Sequence, residues 1–299
     1  MKNGEEFIKD SIQSVLNQSF RDFELLIIDD GSTDRTVSII KSFIAEDSRI
    51  RLMYAEEHGF ANVLNKGLRE AASNYIARLD ADDVMLPKRL EIQHRYLEAN
   101  KSIDLVASHI NYIDQNGIRK GVGGSAYHTP DQIRQEQKSE LVIGFQHPSV
   151  MFLKVSVLEL GGYRLGMWPV EDVDLWTRMV EAGMNLAVLE DVLTNYRVHP
   201  AAGSRSYDSI HKLDWVKACV LARREGRKEP SWENFKEKNY CKPFFERFSY
   251  KRKTYGKYLY RKASQAWLCG FRLRSFFSLG LAFILSPSHV RKRALKFKK

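Results

Sequence analysis

The feature that most restricts the fold is an alternation of short apolar runs with amphipathic stretches through roughly the first two hundred residues. Phe23-Glu24-Leu25-Leu26-Ile27-Ile28 is a short run bounded by a turn, the pattern of a strand buried on both faces. Ile50-Arg51-Leu52-Met53-Tyr54, Tyr75-Ile76-Ala77, Leu105-Val106-Ala107-Ser108 and Val150-Met151-Phe152-Leu153 repeat it. Helical patterns lie between them. Asn3, with Glu6 three residues on, has the spacing of a capping box, and Phe7, Ile8, Ile12, Val15 and Leu16 share one face, so a helix is expected over 4–18. Gly31 permits a tight turn, and Ser32 or Thr33 can cap a helix over 34–45. Further helices are expected over 59–72 and from near Pro87. Strands alternating with helices argue for an α/β fold, a mostly parallel sheet flanked by helices.

In such sheets ligands sit beyond the carboxyl ends of the strands, and two acidic clusters fall there. The first is Asp29-Asp30-Gly31-Ser32-Thr33-Asp34, where Asp30 can accept a hydrogen bond from a base N–H, serve a helix-capping turn, or do both. The second is Asp80-Ala81-Asp82-Asp83, three carboxylates within four residues. Such groups repel one another unless a cation lies between them, and Mg²⁺ or Mn²⁺ is the natural hard partner. The alternative is an Asx turn in which Asp82 and Asp83 cap the next helix. His147, in Gln146-His147-Pro148-Ser149-Val150-Met151, precedes a strand, and a lone histidine is more often structural. Glu171-Asp172-Val173-Asp174-Leu175-Trp176-Thr177-Arg178 reads as a loop entering an amphipathic helix, whose dipole also favours acidic residues in its first turn.

The net charge of +10 conceals an asymmetry. Residues 1–204 carry 22 Lys and Arg against 30 Asp and Glu, whereas residues 205–299 carry 25 against 7, with no acidic residue after Glu246. Two parts are therefore expected, 1–204 and a basic helical extension over 205–299, the latter facing something anionic. Ala266 to Leu285 is strongly apolar but holds Arg272 and Arg274, and its uninterrupted part, Ser275 to Leu285, is eleven residues. A bilayer crossing needs about 20. With Arg291-Lys292-Arg293 and Lys296-Phe297-Lys298-Lys299 beside it, an interfacial helix on an anionic membrane surface fits. A hairpin packed on the body with a solvated basic end fits equally. No recognition motif accompanies the charge, so nucleic acid is not the expected partner. Cys219, Cys241 and Cys269 match neither a zinc pattern nor a disulfide framework, and no signal peptide opens the chain, which suggests a reducing cytoplasm.

An ordered series of segments carries a resemblance: Asn3 to Phe7, Ser14 to Ser19, Glu24 to Thr36, Leu64-Asn65-Lys66-Gly67, and Tyr75 to Pro87 with Arg89-Leu90. It continues through His147 to Met151, Gly161-Gly162-Tyr163, Glu171 to Arg178, and Tyr196-Arg197-Val198-His199-Pro200. The chain resembles a family 2 glycosyltransferase of bacterial type with the GT-A fold, a Rossmann-like sheet. The resemblance implies a metal-dependent, inverting transfer of a sugar from a nucleotide diphosphate donor, usually UDP-linked, to a glycan or lipid-linked acceptor in cell-surface polysaccharide synthesis. By position it makes Asp30 the carboxylate that reads the base and Asp80-Ala81-Asp82 the DxD signature. Asp80, Asp82 and Asp83 then hold the sugar diphosphate, with Asp82 and Asp83 on the Mn²⁺ or Mg²⁺ ion. Asp172 becomes the general base, and Glu171, Arg178 and His147 serve the acceptor or support the site. The enzyme is expected in the cytoplasm or on the cytoplasmic face of the membrane.

The chain departs from the family at its start. Family members carry a central strand and a Pro-x-Tyr-Asn-like loop before the Asn-Gly-Glu helix, whereas here Met1-Lys2-Asn3 leads straight into it. The expectation is that Met1 is internal to a longer protein and that neighbouring strands show open edges without that strand. Two rivals follow. One is a membrane-associated member that binds nucleotide sugars with impaired catalysis. The other is a nucleotidyltransferase, against which the lack of a Gly-rich basic loop near the first strand argues.

Overall fold

The computed structural model describes residues 1–199 and 207–296, in two compact units, Met1–Arg197 and Val198–Lys299. The first unit begins α1 (Ile8–Leu16), β1 (Leu25–Asp29), α2 (Thr36–Glu46), β2 (Ile50–Tyr54), α3 (Phe60–Glu70), β3 (Tyr75–Ala77) and β4 (Val84–Met85). It continues α4 (Arg89–Ala99), β5 (Leu105–Ile113), β6 (Arg119–Gly123) and α5 (Pro130–Glu140). A 3₁₀ turn, His147–Ser149, then leads into β7 (Met151–Leu153), α6 (Lys154–Glu159), α7 (Glu171–Glu181) and β8 (Leu186–Arg197).

The sheet is mixed rather than mostly parallel. β1 and β2 pair in parallel as a two-stranded sheet, and the other six strands form a second sheet in the order β3-β7-β5-β8-β4, with β6 on β5. Only β5–β8 is parallel there, while β3–β7, β4–β8, β5–β6 and β5–β7 are antiparallel. Apolar runs report burial on both faces, whereas strand direction depends on where each connection returns the chain. The expected strand over 105–108 runs on to Ile113 and doubles back as β6, so the chain re-enters at β7 from the opposite end.

The two-residue repeat of a strand builds the core of this unit. Leu105 and Ala107 of β5, Phe152 of β7, and Leu186 and Val188 of β8 bury one face against Leu175, Trp176 and Met179 of α7. The intervening Val106, Met151 and Ala187 bury the other against Leu90 and Leu97 of α4. Each such side chain contributes roughly 1.5–3 kcal/mol through apolar burial.

Several local expectations shift. The predicted 4–18 helix forms as Ile8–Leu16, because Asn3 takes a left-handed conformation (φ 50°) and its Oδ1 accepts from Thr33 N instead of capping. Gly4 N donates to Thr36 Oγ1 and Glu5 N to Asp34 Oδ2, so this segment is tied to the β1–α2 loop. Asp34, rather than Ser32 or Thr33, accepts from the first turn of α2, at Thr36 N.

β1 and β3 each keep an open edge. Leu25 and Asp29 bond toward β2, which turns the backbone groups of Leu26 and Ile28 the other way. Among the described residues only Met1 bonds to that edge, donating to Ile28 O at 2.7 Å and accepting from Asp30 N at 2.7 Å. In β3, Asn74 and Arg78 bond toward β7, leaving Tyr75 and Ala77 on the outer edge. Leu25, Tyr75 and Ala77 nevertheless pack in one apolar cluster with Val15 of α1.

The second unit is helical among its described residues: α8 (Tyr207–Arg224), α9 (Trp232–Tyr240), α10 (Phe244–Leu268), α11 (Arg272–Leu285) and α12 (Pro287–Lys296). Ser231 Oγ caps α9 at Asn234 N, and Trp215 Nε1 donates to Pro230 O at 2.8 Å. The three cysteines are free thiols. The expected 204/205 boundary, Pro200 of the Tyr196–Pro200 segment, and Phe297, Lys298 and Lys299 lie outside the described residues.

Candidate active site

The first acidic cluster divides its work. Asp29, 2% exposed, accepts from Gly31 N and Ser32 N and makes the turn expected of its neighbour. Asp30 instead reaches across to α3, with His58 Nδ1 2.8 Å from Oδ1 and Gly59 N donating to Oδ2 at 3.3 Å. Gly31 lies so close that a Cβ there would stand 3.4 Å from the His58 ring. Asp30 and His58 thus form one polar group at the amino end of α3.

The second cluster is organised by three arginines to which the sequence reading assigned no role. Arg78, at the end of β3, forms an ion pair with Asp80 and lies over the Phe60 ring. Arg89 is fully buried, and its guanidinium donates to the carbonyls of Arg78, Pro148 and Val150, tying the DxD loop to the 3₁₀ turn. Its pKa falls to about 9 through burial. Arg197, at the end of β8, donates through Nε to Asp82 O and through its backbone N to Asp83 Oδ1 at 2.7 Å. Asp80 and Asp82 stay half-buried, whereas Asp83 is 1% exposed and its Oδ2 has no partner. Burial, then Asp82 and Asp80, push the Asp83 carboxyl well above the usual carboxylate range.

His147 is enclosed by protein groups. It is buried, its Nε2 lies 2.8 Å from Tyr163 Oη, its Nδ1 lies 3.9 Å from Glu171 Oε1, and its ring meets Trp176 edge-on. Burial, followed by Arg78, pushes its pKa well down, so the imidazole is neutral. Tyr163 is clasped by Asn65, whose Nδ2 donates to Tyr163 O at 2.7 Å and whose Oδ1 accepts from Tyr163 N at 2.8 Å. Gly162 beside it has φ 73°, and a Cβ there would collide with Asn65 Oδ1 at 2.4 Å. Arg178 is likewise engaged by protein groups. It donates to Asp174 Oδ2, Leu160 O and Gly162 O, while Arg164 holds the same Asp174 from the other side. That Arg164–Asp174–Arg178 group was not anticipated, although the i,i+4 spacing of Asp174 and Arg178 is the signal for half of it.

Glu171 and Asp172 open α7. Burial raises Glu171 from its ordinary 4.5 to about 8, Asp172 adding to the shift, and its Oε2 has no partner. Burial likewise raises Asp172 to about 6, against the bond its Oδ1 accepts from Val173 N at 2.7 Å. Asp80 raises and Arg78 lowers both, so the DxD loop and the start of α7 share one electrostatic neighbourhood. Asp30 and Asp80 both act on the Met1 amino group, which brings the two acidic clusters together as well.

Among the described residues, no three His, Cys, Asp or Glu gather as a complete ion cage. The donor chemistry still suits an Mg²⁺-like ion, which binds through one or two carboxylates and substrate phosphates. The repulsion from Asp82 and Asp80 that helps raise the Asp83 carboxyl, and its unpartnered Oδ2, are what a cation in that loop would relieve.

The description Glycosyl transferase family 2 matches residues 1–161. The O-antigen biosynthesis glycosyltransferase WbnJ of Escherichia coli is 30% identical over 234 residues, which are 77% of this chain and 88% of that protein. The fold matches S. aureus TarS 1-349 in complex with UDP-GlcNAc at TM-score 0.59 and 16% identity, over 95% of this chain and 87% of that one. It also matches the mannosyltransferase PcManGT from Pyrobaculum calidifontis, in complex with GDP-Man and Mn2+, at TM-score 0.54 and 15% identity, over 91% of this chain and 84% of that one. The architecture is accordingly a mixed α/β fold of the GT-A type with a helical C-terminal region. Its sequence over those 161 residues makes this chain a member of glycosyl transferase family 2.

Proposed function

We propose that this chain transfers a sugar, with inversion, from a UDP-linked donor to a hydroxyl of a glycan acceptor in cell-surface polysaccharide synthesis. The observation that carries the reading is the buried Glu171-Asp172 pair set within the field of Arg78 and Asp80. WbnJ by its name and TarS by its bound UDP-GlcNAc support the substrate classes. The acceptor is lipid-linked where the second unit brings the enzyme to a membrane.

In this mechanism Asp30 and His58 seat the nucleotide, and Asp80 and Asp82 face the diphosphate. Asp172 takes the proton from the acceptor hydroxyl. The oxygen then attacks the anomeric carbon on the face opposite the diphosphate, and the bonding pair to the diphosphate leaves with it through an oxocarbenium-like state. Asp82 and Asp83 are the residues that would hold a divalent ion, which would supply positive charge to the departing diphosphate. An Asp172 pKa of about 6 leaves the base ionised at neutral pH.

The test measures release of nucleotide diphosphate from UDP-sugars with a glycan acceptor. Asp172→Asn should lower turnover about 10²–10⁴-fold with donor affinity unchanged by calorimetry, and chelator should stop turnover until Mn²⁺ or Mg²⁺ is returned. Unchanged turnover in the variant removes Asp172 from the role of base, and full turnover in chelator removes the ion. A second reading, a nucleotide-sugar binder without transfer, is favoured by the open edges of β1 and β3 next to Asp30 and Asp80. Donor binding with no diphosphate release would select it.

A further inference from the structure

α11 is built inside out. Its inward line of Ser275, Ser278 and Ala282, continued by Ser286 just past its end, is small and partly polar, and Ser275 Oγ donates to Ala263 O of α10 at 2.8 Å. The two helices approach so closely that a Cβ on Gly256 of α10 would meet Ser286 Cβ at 2.6 Å. The outward line is large and apolar: Leu273 (87% exposed), Phe276, Phe277 (72%), Phe283 and Ile284 (68%). These positions follow the helical repeat, so they make one continuous stripe. Small residues at a tight helix–helix contact, with large apolar ones outside, is the arrangement of helices solvated by lipid.

Cations border the stripe. Arg272 lies 3.5 Å from the Trp267 ring centroid, Arg274 lies over Phe271, and Arg291 lies over Phe283. Such side chains keep their stems on apolar surface and their heads toward water or headgroups. From Arg247 to Lys299 the chain holds fifteen Lys and Arg and no Asp or Glu. A second copy of this unit would bring like charges together, whereas an anionic lipid surface complements both the stripe and its border. Among the described residues no helix is long and apolar enough to cross a membrane.

We propose that α11 lies in the headgroup layer of an anionic bilayer, its Leu273–Ile284 stripe immersed and its bordering arginines on lipid phosphates. The surface acts independently of the transfer chemistry.

Co-sedimentation of the full chain with vesicles tests it, using phosphatidylcholine alone or with about one third phosphatidylglycerol. Binding should be at least about tenfold tighter to the anionic vesicles and should weaken with salt. The combined variant Phe276→Ser, Phe277→Ser, Ile284→Ser should lose about tenfold or more, with helix content unchanged by circular dichroism. The combined variant Arg272→Gln, Arg274→Gln, Arg291→Gln should lose the preference for anionic vesicles. Equal binding by wild type and the serine variant overturns the proposal, as does equal binding to both vesicle types. A wild-type dimer that becomes monomeric in the serine variant also overturns it, since the stripe is then a self-interface. Transfer to a water-soluble acceptor should be unchanged in the serine variant, which separates this result from failure of the transfer reading.

Discussion

Replacing Glu171 by Gln isolates the electrostatic cost stored at the start of α7. Glu171 is 5% exposed, its Oε2 has no partner, and burial next to Asp172 raises its pKa from 4.5 to about 8. A raised carboxyl pKa means that the folded chain keeps a proton which the unfolded chain has lost. The associated stability is complete below the unfolded value, falls as pH rises, and is gone above about 8. Each unit of separation is worth about 1.4 kcal/mol, so a window of this width corresponds to about 3–5 kcal/mol. Glu171→Gln keeps the shape and has no proton to lose. Urea unfolding of both proteins at pH 5 and pH 9 should therefore show the variant gaining on wild type by about 3–5 kcal/mol between the two conditions. Other titrating groups are common to both proteins and cancel in the difference. A change in that difference below about 1 kcal/mol, or a variant weaker at pH 9, refutes the account of Glu171 as a buried, protonated acid.

Two further outcomes follow from the same cleft. Because burial holds Asp172 near 6, the logarithm of kcat/KM should rise by one unit per pH unit below that value and level above it. A profile with no acid limb near pH 6 would contradict the base assignment. Arg178→Met should cost about 3 kcal/mol in unfolding free energy, because it strips the Leu160 and Gly162 carbonyls and half the support of the fully buried Asp174. A loss under about 1 kcal/mol would mean Arg164 alone suffices.

The site was legible where carboxylates end apolar runs. Asp30, Asp80, Asp82 and Asp172 stand out because strand ends and helix starts announce themselves locally, whereas the roles proposed for them come from the family resemblance. The arginines that arrange them could not. Arg78 stands within an apolar run, Arg89 reaches the Pro148 and Val150 carbonyls 59 and 61 residues away, and Arg197 reaches the Asp82 carbonyl 115 residues away, pairings that no window of sequence contains. The same limit explains the fold errors. Asn3 had a sound local capping pattern, but the distant Thr33 N competed for its side chain. The apolar runs of β3, β5 and β7 were read correctly as strands, but nothing in an apolar run encodes direction, and the sheet came out mixed.

The Asn65–Tyr163 clasp has a mechanical meaning. α3 carries His58 and Gly59 at its front, where Asp30 waits, while Tyr163 stands against His147, the neighbour of Glu171. Both backbone groups of Tyr163 are held by one amide side chain, so α3 and the loop before α7 are tied together at this point. On the transfer reading proposed above, that clasp would gauge the span between Asp30 and Asp172, and sugars of different size would have to adapt to it.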